Sequence, residues 1–125
     1  MRRLLLDTNI LIDHLRGDAA ATTLLRDVAT GRLRASISVI TEGESLASRA
    51  LTRQQLREIE TLLSLLPKLA VTSRVARTAA QFQRTYTIDM ADALIAATAS
   101  VANATLVTRN IKHFRAVKEL RLRTL

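Results

Sequence analysis

Eleven acids are spread over this 125-residue chain, and three sit where solvation alone would not put them. Asp7 directly follows the apolar run Leu4-Leu5-Leu6, and Glu44 lies in a helical segment that follows a strand. Asp92 lies within Asp89-Met90-Ala91-Asp92-Ala93-Leu94-Ile95-Ala96-Ala97. Its neighbours at helical spacing are Ile95, Ala96 and Ala99, so its carboxylate lies along a stripe of small apolar residues, where a charge needs a partner. Three carboxylates brought from the ends of different elements can share one hard cation, and an all-oxygen donor set selects Mg²⁺ or Mn²⁺ over softer metals. The chemistry such a centre supports is phosphodiester hydrolysis, in which the metal activates a water and neutralises charge growing on the phosphate.

Each acid also has a purely structural reading. Asp7 can cap the helix that begins near Asn9, accepting its free amides. Thr41-Glu42-Gly43-Glu44 has the form of a capping box, with Glu44 reaching back to the helix start. Glu42 is a solvated first-turn acid on this view, and the natural substitute for Glu44 if the box is real. Asp89 caps the helix that carries Asp92. Asp13 falls two turns into the first helix, either supporting Asp7 or simply facing solvent.

The elements that must position these groups follow from pattern and punctuation. Leu4–Leu6 reads as a buried strand running straight into a helix over Asn9–Arg16 that Gly17 stops. A second helix runs from an Asp18 cap to about Gly31, Leu33–Val39 alternates as a strand, and a helix follows from Thr41 to about Leu51. Thr52-Arg53-Gln54-Gln55 is a capping box that opens a helix ended by Pro67. Leu69–Val71 is a short third strand, Ser73 caps a helix to about Tyr86, and Asp89 opens another that reaches Asn103. Thr105–Thr108, a helical turn at Ile111–Phe114 and a last strand at Leu120–Thr124 complete the chain. Strands alternating with helices predict an α/β fold, a parallel sheet with helices on both faces. No internal repeat or Pro/Gly/Ser-rich linker divides the chain, so residues 1–125 are expected to form one domain.

Composition narrows the partners. The chain carries a net charge of +8, and apart from Lys68, Lys112 and Lys118 its 19 basic residues are arginine. Arg forks match phosphate oxygens, so a polyanion is the expected partner, although Arg-rich composition also follows from genome base content. Aromatics make up 2%, too few for a module that reads single strands by stacking. Cysteine is absent, which excludes disulfides and thiolate zinc sites and suits a reducing cytoplasm. Arg2-Arg3 before three leucines resembles the start of a secretory leader, but Asp7 cuts the apolar run short, and no segment reaches membrane-spanning length. A basic surface beside an acidic pocket is the electrostatic arrangement a nuclease requires. Arg109 is a candidate phosphate contact or an exposed loop charge; Arg53 with Arg57, and Lys112 with Arg115 and Lys118, either track RNA or form solvated faces. His14 and His113 make no ligand pair by spacing and are given no catalytic role.

At these residues the sequence resembles the PIN-domain ribonucleases, and within them the VapC-type toxins of bacterial and archaeal toxin–antitoxin pairs. Leu5-Leu6-Asp7-Thr8-Asn9 is similar to the family's opening block, and Ser38-Val39-Ile40-Thr41-Glu42-Gly43-Glu44 to its second. Asp92 through Ala99 resembles the third block, and Leu106-Val107-Thr108-Arg109-Asn110 with His113-Phe114 the fourth. The resemblance places the second block's acid at Glu44 and implies catalytic and metal-binding roles for Asp7, Glu44 and Asp92. It further implies an Mg²⁺- or Mn²⁺-dependent endoribonuclease on a Rossmann-like sheet, cytoplasmic, usually a homodimer, and silenced by a VapB-type antitoxin. Where many such domains place a fourth acid, this chain has Asn110. One firmly held metal is therefore expected, bound mainly by Asp7 and Asp92, with Thr8, Asn9, Asp13, Thr108 and Asn110 orienting the acids or holding water.

Two other functions compete. An aspartyl phosphotransferase would need a second acid where Asn9 stands, and the glycine loops that cradle phosphates are missing from a chain with three glycines. A non-catalytic PIN-like module that binds RNA or a protein partner is the alternative that the residues leave open.

Overall fold

The computed structural model describes residues 2–125. Its elements run β1 (Leu4–Leu6), α1 (Thr8–Leu15), α2 (Ala19–Ala29), β2 (Ala35–Ser38), α3 (Val39–Leu46), α4 (Arg53–Ser64) and β3 (Lys68–Leu69). They continue through α5 (Ser73–Thr85), α6 (Met90–Val101), β4 (Thr105–Val107), α7 (Ile111–Phe114) and β5 (Arg121–Arg123). The five strands form one sheet, ordered β3-β2-β1-β4-β5, in which every pairing is parallel. Helices cover both faces, as the strand–helix alternation predicts.

The period-two geometry of β1 divides the core. Leu4 and Leu6 face a cluster built from Ile10 and Leu11 of α1, Leu24 and Leu25 of α2, and Ile59, Leu62 and Leu63 of α4. Leu5 faces the other way, into Val75, Ala79 and Phe82 of α5, the alanines of α6, and Phe114 of α7. A three-residue strand thus anchors both layers, and all three leucines are buried. The small side chains of Ala93, Ala96, Ala97 and Ala99 let α6 lie close against the sheet.

Local signals set most helix ends. Gly17 and Gly31 adopt φ of +86° and +81°, the left-handed conformation that stops α1 and α2. The Thr52–Gln55 capping box forms in both directions. Asp89 caps α6 by accepting from Asp92 N at 2.9 Å. Several boundaries differ from the sequence reading. The second strand stops at Ser38, because the Ser38 hydroxyl accepts from Ile40 N at 3.0 Å and starts α3 at Val39. That helix ends at Leu46, short of Leu51. The third strand pairs through Lys68 and Leu69 rather than Leu69–Val71, and Thr72, not Ser73, caps α5.

The winding positions the site. From β1 the chain moves to β2 and β3 on one side, then crosses back to β4 and β5 on the other. The carboxyl ends of β1 and β4 therefore flank the point where the winding reverses, the crevice in which open α/β sheets bind ligands. The residues that immediately follow those two strands are Asp7 and Thr108.

Candidate active site

Asp7 directly follows β1 at this switch point. It caps α1 through Thr8 N, which donates to Oδ1 at 2.8 Å, so the structural reading of this acid holds. It is also more than a cap. Thr108 Oγ1 donates to Asp7 Oδ2 at 2.7 Å across the β1–β4 junction, and Asn9 Nδ2 lies 3.3 Å from the same oxygen. The residue is only 4% exposed, and burial raises its carboxyl pKa above the ordinary value despite the Thr108 and Thr8 hydrogen bonds and the charge of His113. Among the described residues no lysine or arginine forms an ion pair with it. A buried carboxylate held by hydroxyl and amide donors, with no lysine or arginine paired to it, is a demand for positive charge.

Asp92 supplies the second acid from the first turn of α6. Its carboxyl pKa is raised, chiefly by burial and then by repulsion from Asp89 and Asp7, with His113 opposing. The Asp7 charge is thus felt at Asp92. The open cleft beside Asp92 has a volume of about 430 Å³ and is lined by Thr87, Ile88, Asp89, Asp92, Lys112 and His113.

Glu44 does not form the capping box that its spacing allows. Ser38 caps α3 instead, which puts Glu44 in the sixth position of the helix and turns it toward α1. There Thr8 Oγ1 donates to Glu44 Oε1 at 2.6 Å, and the same hydroxyl lies 3.2 Å from the buried Thr41 Oγ1. A hydroxyl has one proton to give, so Thr41 donates to Thr8 while Thr8 donates to Glu44. Thr8 thereby joins Glu44 to the residue adjoining Asp7. Glu42 makes no hydrogen bond or ion pair with this group.

The fourth block ties the crevice together. Thr108 Oγ1, besides donating to Asp7, accepts from Asn110 N at 3.0 Å, and Asn9 Oδ1 lies 3.4 Å from Arg109 N. Asn110 leaves its own side chain without a capping bond at the start of α7. Arg109, read from the sequence as a phosphate contact or an exposed loop charge, has its guanidinium engaged by Asp18 at 2.6 and 3.1 Å and by Asp13 at 3.1 Å. Asp13, expected to support Asp7, is committed to Arg109 instead, so this trio clamps α1 and α2 to the β4–α7 loop. Spacing in the sequence gave His113 no catalytic role. Yet its Nδ1 lies 3.1 Å from Asp92 Oδ2, a contact between residues 21 apart in sequence that no local spacing rule reveals.

The donor chemistry suits a hard cation. Asp7 and Asp92 provide carboxylate oxygens, with the His113 ring beside Asp92. Among the described residues no three acidic or histidine side chains stand close enough to hold a metal between them. The expected trio of Asp7, Glu44 and Asp92 is thus not a ready-made cage. Mg²⁺ and Mn²⁺ suit such a site, because Mg²⁺ in particular keeps several waters and is bound through about one or two carboxylates.

Comparison with known proteins identifies relatives over almost the whole chain. The PIN domain family model matches residues 4–120. Ribonuclease VapC19 of Mycobacterium tuberculosis is 36% identical over 115 residues, covering 88% of this chain and 90% of that protein. Ribonuclease VapC10 of the same organism is 34% identical over 124 residues, 94% of this chain and 90% of its own length. In solved structures, VapBC2 from Rickettsia felis, bound to a promoter DNA fragment, superposes with a TM-score of 0.84 at 25% identity, covering 98% of each chain. A toxin–antitoxin complex from Klebsiella pneumoniae gives a TM-score of 0.79 at 28% identity, covering 94% of each.

Proposed function

The chain belongs to the PIN-domain family, as a VapC-type member, and from that premise we propose that it is the ribonuclease toxin of a toxin–antitoxin pair, hydrolysing RNA phosphodiester bonds with a bound Mg²⁺ or Mn²⁺. The observation that carries this reading is the buried Asp7 carboxylate at the β1–β4 switch point, unpaired by any lysine or arginine among the described residues.

Asp7 and Asp92 are the residues that would hold the metal. When bound, such a cation lowers the pKa of a coordinated water and offsets charge that grows on the scissile phosphate. Asp7 is held by Thr8 N, Thr108 Oγ1 and Asn9 Nδ2, so its carboxylate is preorganised before substrate arrives. Glu44 has Oε1 fixed by Thr8, which leaves Oε2 to accept a hydrogen bond or a proton from the attacking water. Asn110, with its side-chain amide uncommitted to the helix start, is placed to orient that water or the RNA. The net charge of +8 attracts the polyanion to a pocket that is locally acidic.

The VapBC complexes among the solved structures support extending the reading to a VapB-type antitoxin that silences the enzyme; a homodimer in the cytoplasm is part of the same proposal. Among the described residues no helix is long and apolar enough to cross a membrane. The test is to incubate the purified protein with structured RNA and Mg²⁺. Cleavage that stops on chelation supports the proposal, whereas RNA or protein binding with no cutting at any metal concentration favours a PIN-like binding module.

A further inference from the structure

The two central acids are held very differently. Three donors fix Asp7 from three directions. Asp92 stands on the first turn of a helix, and among the described residues its single side-chain hydrogen bond is to His113 Nδ1, 3.1 Å from Oδ2. We infer that His113 is a positioning residue for Asp92, its Nδ1–H fixing the carboxylate in the orientation that holds the metal with Asp7. The inference rests on the metal-site reading proposed above and adds a residue that no spacing argument selected.

The local fold supports this role. α7 is one turn long, and its last residue, Phe114, is fully buried in the core against which α6 packs. Phe114 fixes the turn in place, and the adjoining His113 is carried to the mouth of the crevice, where its side chain is 55% exposed while Asp92 is 20% exposed. A carboxylate accepts, so Nδ1 carries the proton of this hydrogen bond. This is the relation seen when an outer hydrogen-bond partner holds a ligating carboxylate, and losing such a partner typically costs about 10–100-fold in metal affinity or activity.

Amide substitutions separate the two ring nitrogens. Asn carries its amide nitrogen on Cγ, where histidine carries Nδ1, whereas Gln carries it one bond further out, near Nε2. The measurement is a calorimetric Mn²⁺ titration of the full chain, wild type against His113→Ala, His113→Asn and His113→Gln, with kcat and KM on RNA followed in parallel. His113→Ala is expected to weaken Mn²⁺ binding by at least ~10-fold and to lower kcat more than it raises KM. His113→Asn should restore most of both, and His113→Gln should not. The melting temperature should move little, because the ring is largely exposed. Unchanged Mn²⁺ affinity in His113→Ala would overturn the inference, as would equal behaviour of Asn and Gln, or a loss confined to KM, which would make the ring an RNA contact. A wild-type protein that binds no Mn²⁺ would instead overturn the metal-site reading, and this inference with it.

Discussion

Replacing Thr108 by Val removes a hydroxyl and leaves the volume of a fully buried side chain almost unchanged. No cavity forms, so the loss is confined to hydrogen bonds. The wild-type hydroxyl donates to Asp7 Oδ2 at 2.7 Å and accepts from Asn110 N at 3.0 Å. A hydrogen bond to a charged group contributes about 1.5–3 kcal/mol, and here the acceptor stays buried with one donor fewer. Taking ~2 kcal/mol for the pair, a domain of this size should melt roughly 6–10 °C lower in the metal-free state at pH 7. The effect depends on pH with a definite sign. Burial already raises the folded-state pKa of Asp7, and removing the Thr108 donor raises it further. The cost is complete where Asp7 is ionised, above its folded pKa, and shrinks as pH falls through that pKa toward the ordinary carboxylate value. Calorimetric melts of wild type, Thr108→Val and Thr108→Ser at pH 7 and near pH 4 test this. Thr108→Ser keeps the hydroxyl and should stay close to wild type. A Thr108→Val melt within about 1 °C of wild type at pH 7, or a loss of equal size at both pH values, would refute the claim that Thr108 holds an ionised Asp7.

Other perturbations follow from the same geometry. Because folded-state pKa values of Asp7 and Asp92 are raised, both acids reduce metal-free stability as pH rises through those values. Mn²⁺ at ~100 times its Kd should therefore raise stability by about 2.7 kcal/mol, and Asp92→Asn should melt no lower than wild type without metal while losing that response. An unchanged melt with Mn²⁺, or a sharp fall in Asp92→Asn, would make Asp92 a structural residue. Arg109→Ala should lower the melting temperature by a margin that narrows in molar salt, since its guanidinium, 32% exposed, bridges Asp13 and Asp18. An unaltered melt paired with weaker RNA binding would return Arg109 to the role of phosphate contact. Phe114→Ala empties a fully buried ring position and should destabilise by about 3–5 kcal/mol in chemical unfolding, with loss of the His113–Asp92 contact.

The candidate centre at Asp7 is legible in the sequence because burial is written locally. Three leucines before Asp7 require a strand that is buried on both faces, and an acid at its end has to lie at the mouth of the core. The α/β alternation carried the fold class, and the strand order then made Asp7 and Thr108 neighbours at the switch point. Positions decided by competition between two local signals were less legible. Ser38 and Thr41 can each start a helix, and the hydroxyl of Ser38 wins because the buried strand ends there; that choice turns Glu44 toward Thr8 rather than back to its own amides. Arg109 and Asp13 look like free charges in sequence and meet only through the fold. His113 depends on a contact between α6 and α7 across 21 residues, which neither helical nor strand periodicity encodes.

The account stands or falls on whether Asp7 is the anchor of a catalytic metal site. The direct measurement is RNA cleavage by the purified protein in Mg²⁺ or Mn²⁺, wild type against Asp7→Ala, with both proteins shown to be folded. Cleavage by the wild type that chelation abolishes, and none by Asp7→Ala, is the predicted result. Cleavage that persists in Asp7→Ala at the wild-type rate, or that continues with the metal removed, would contradict it.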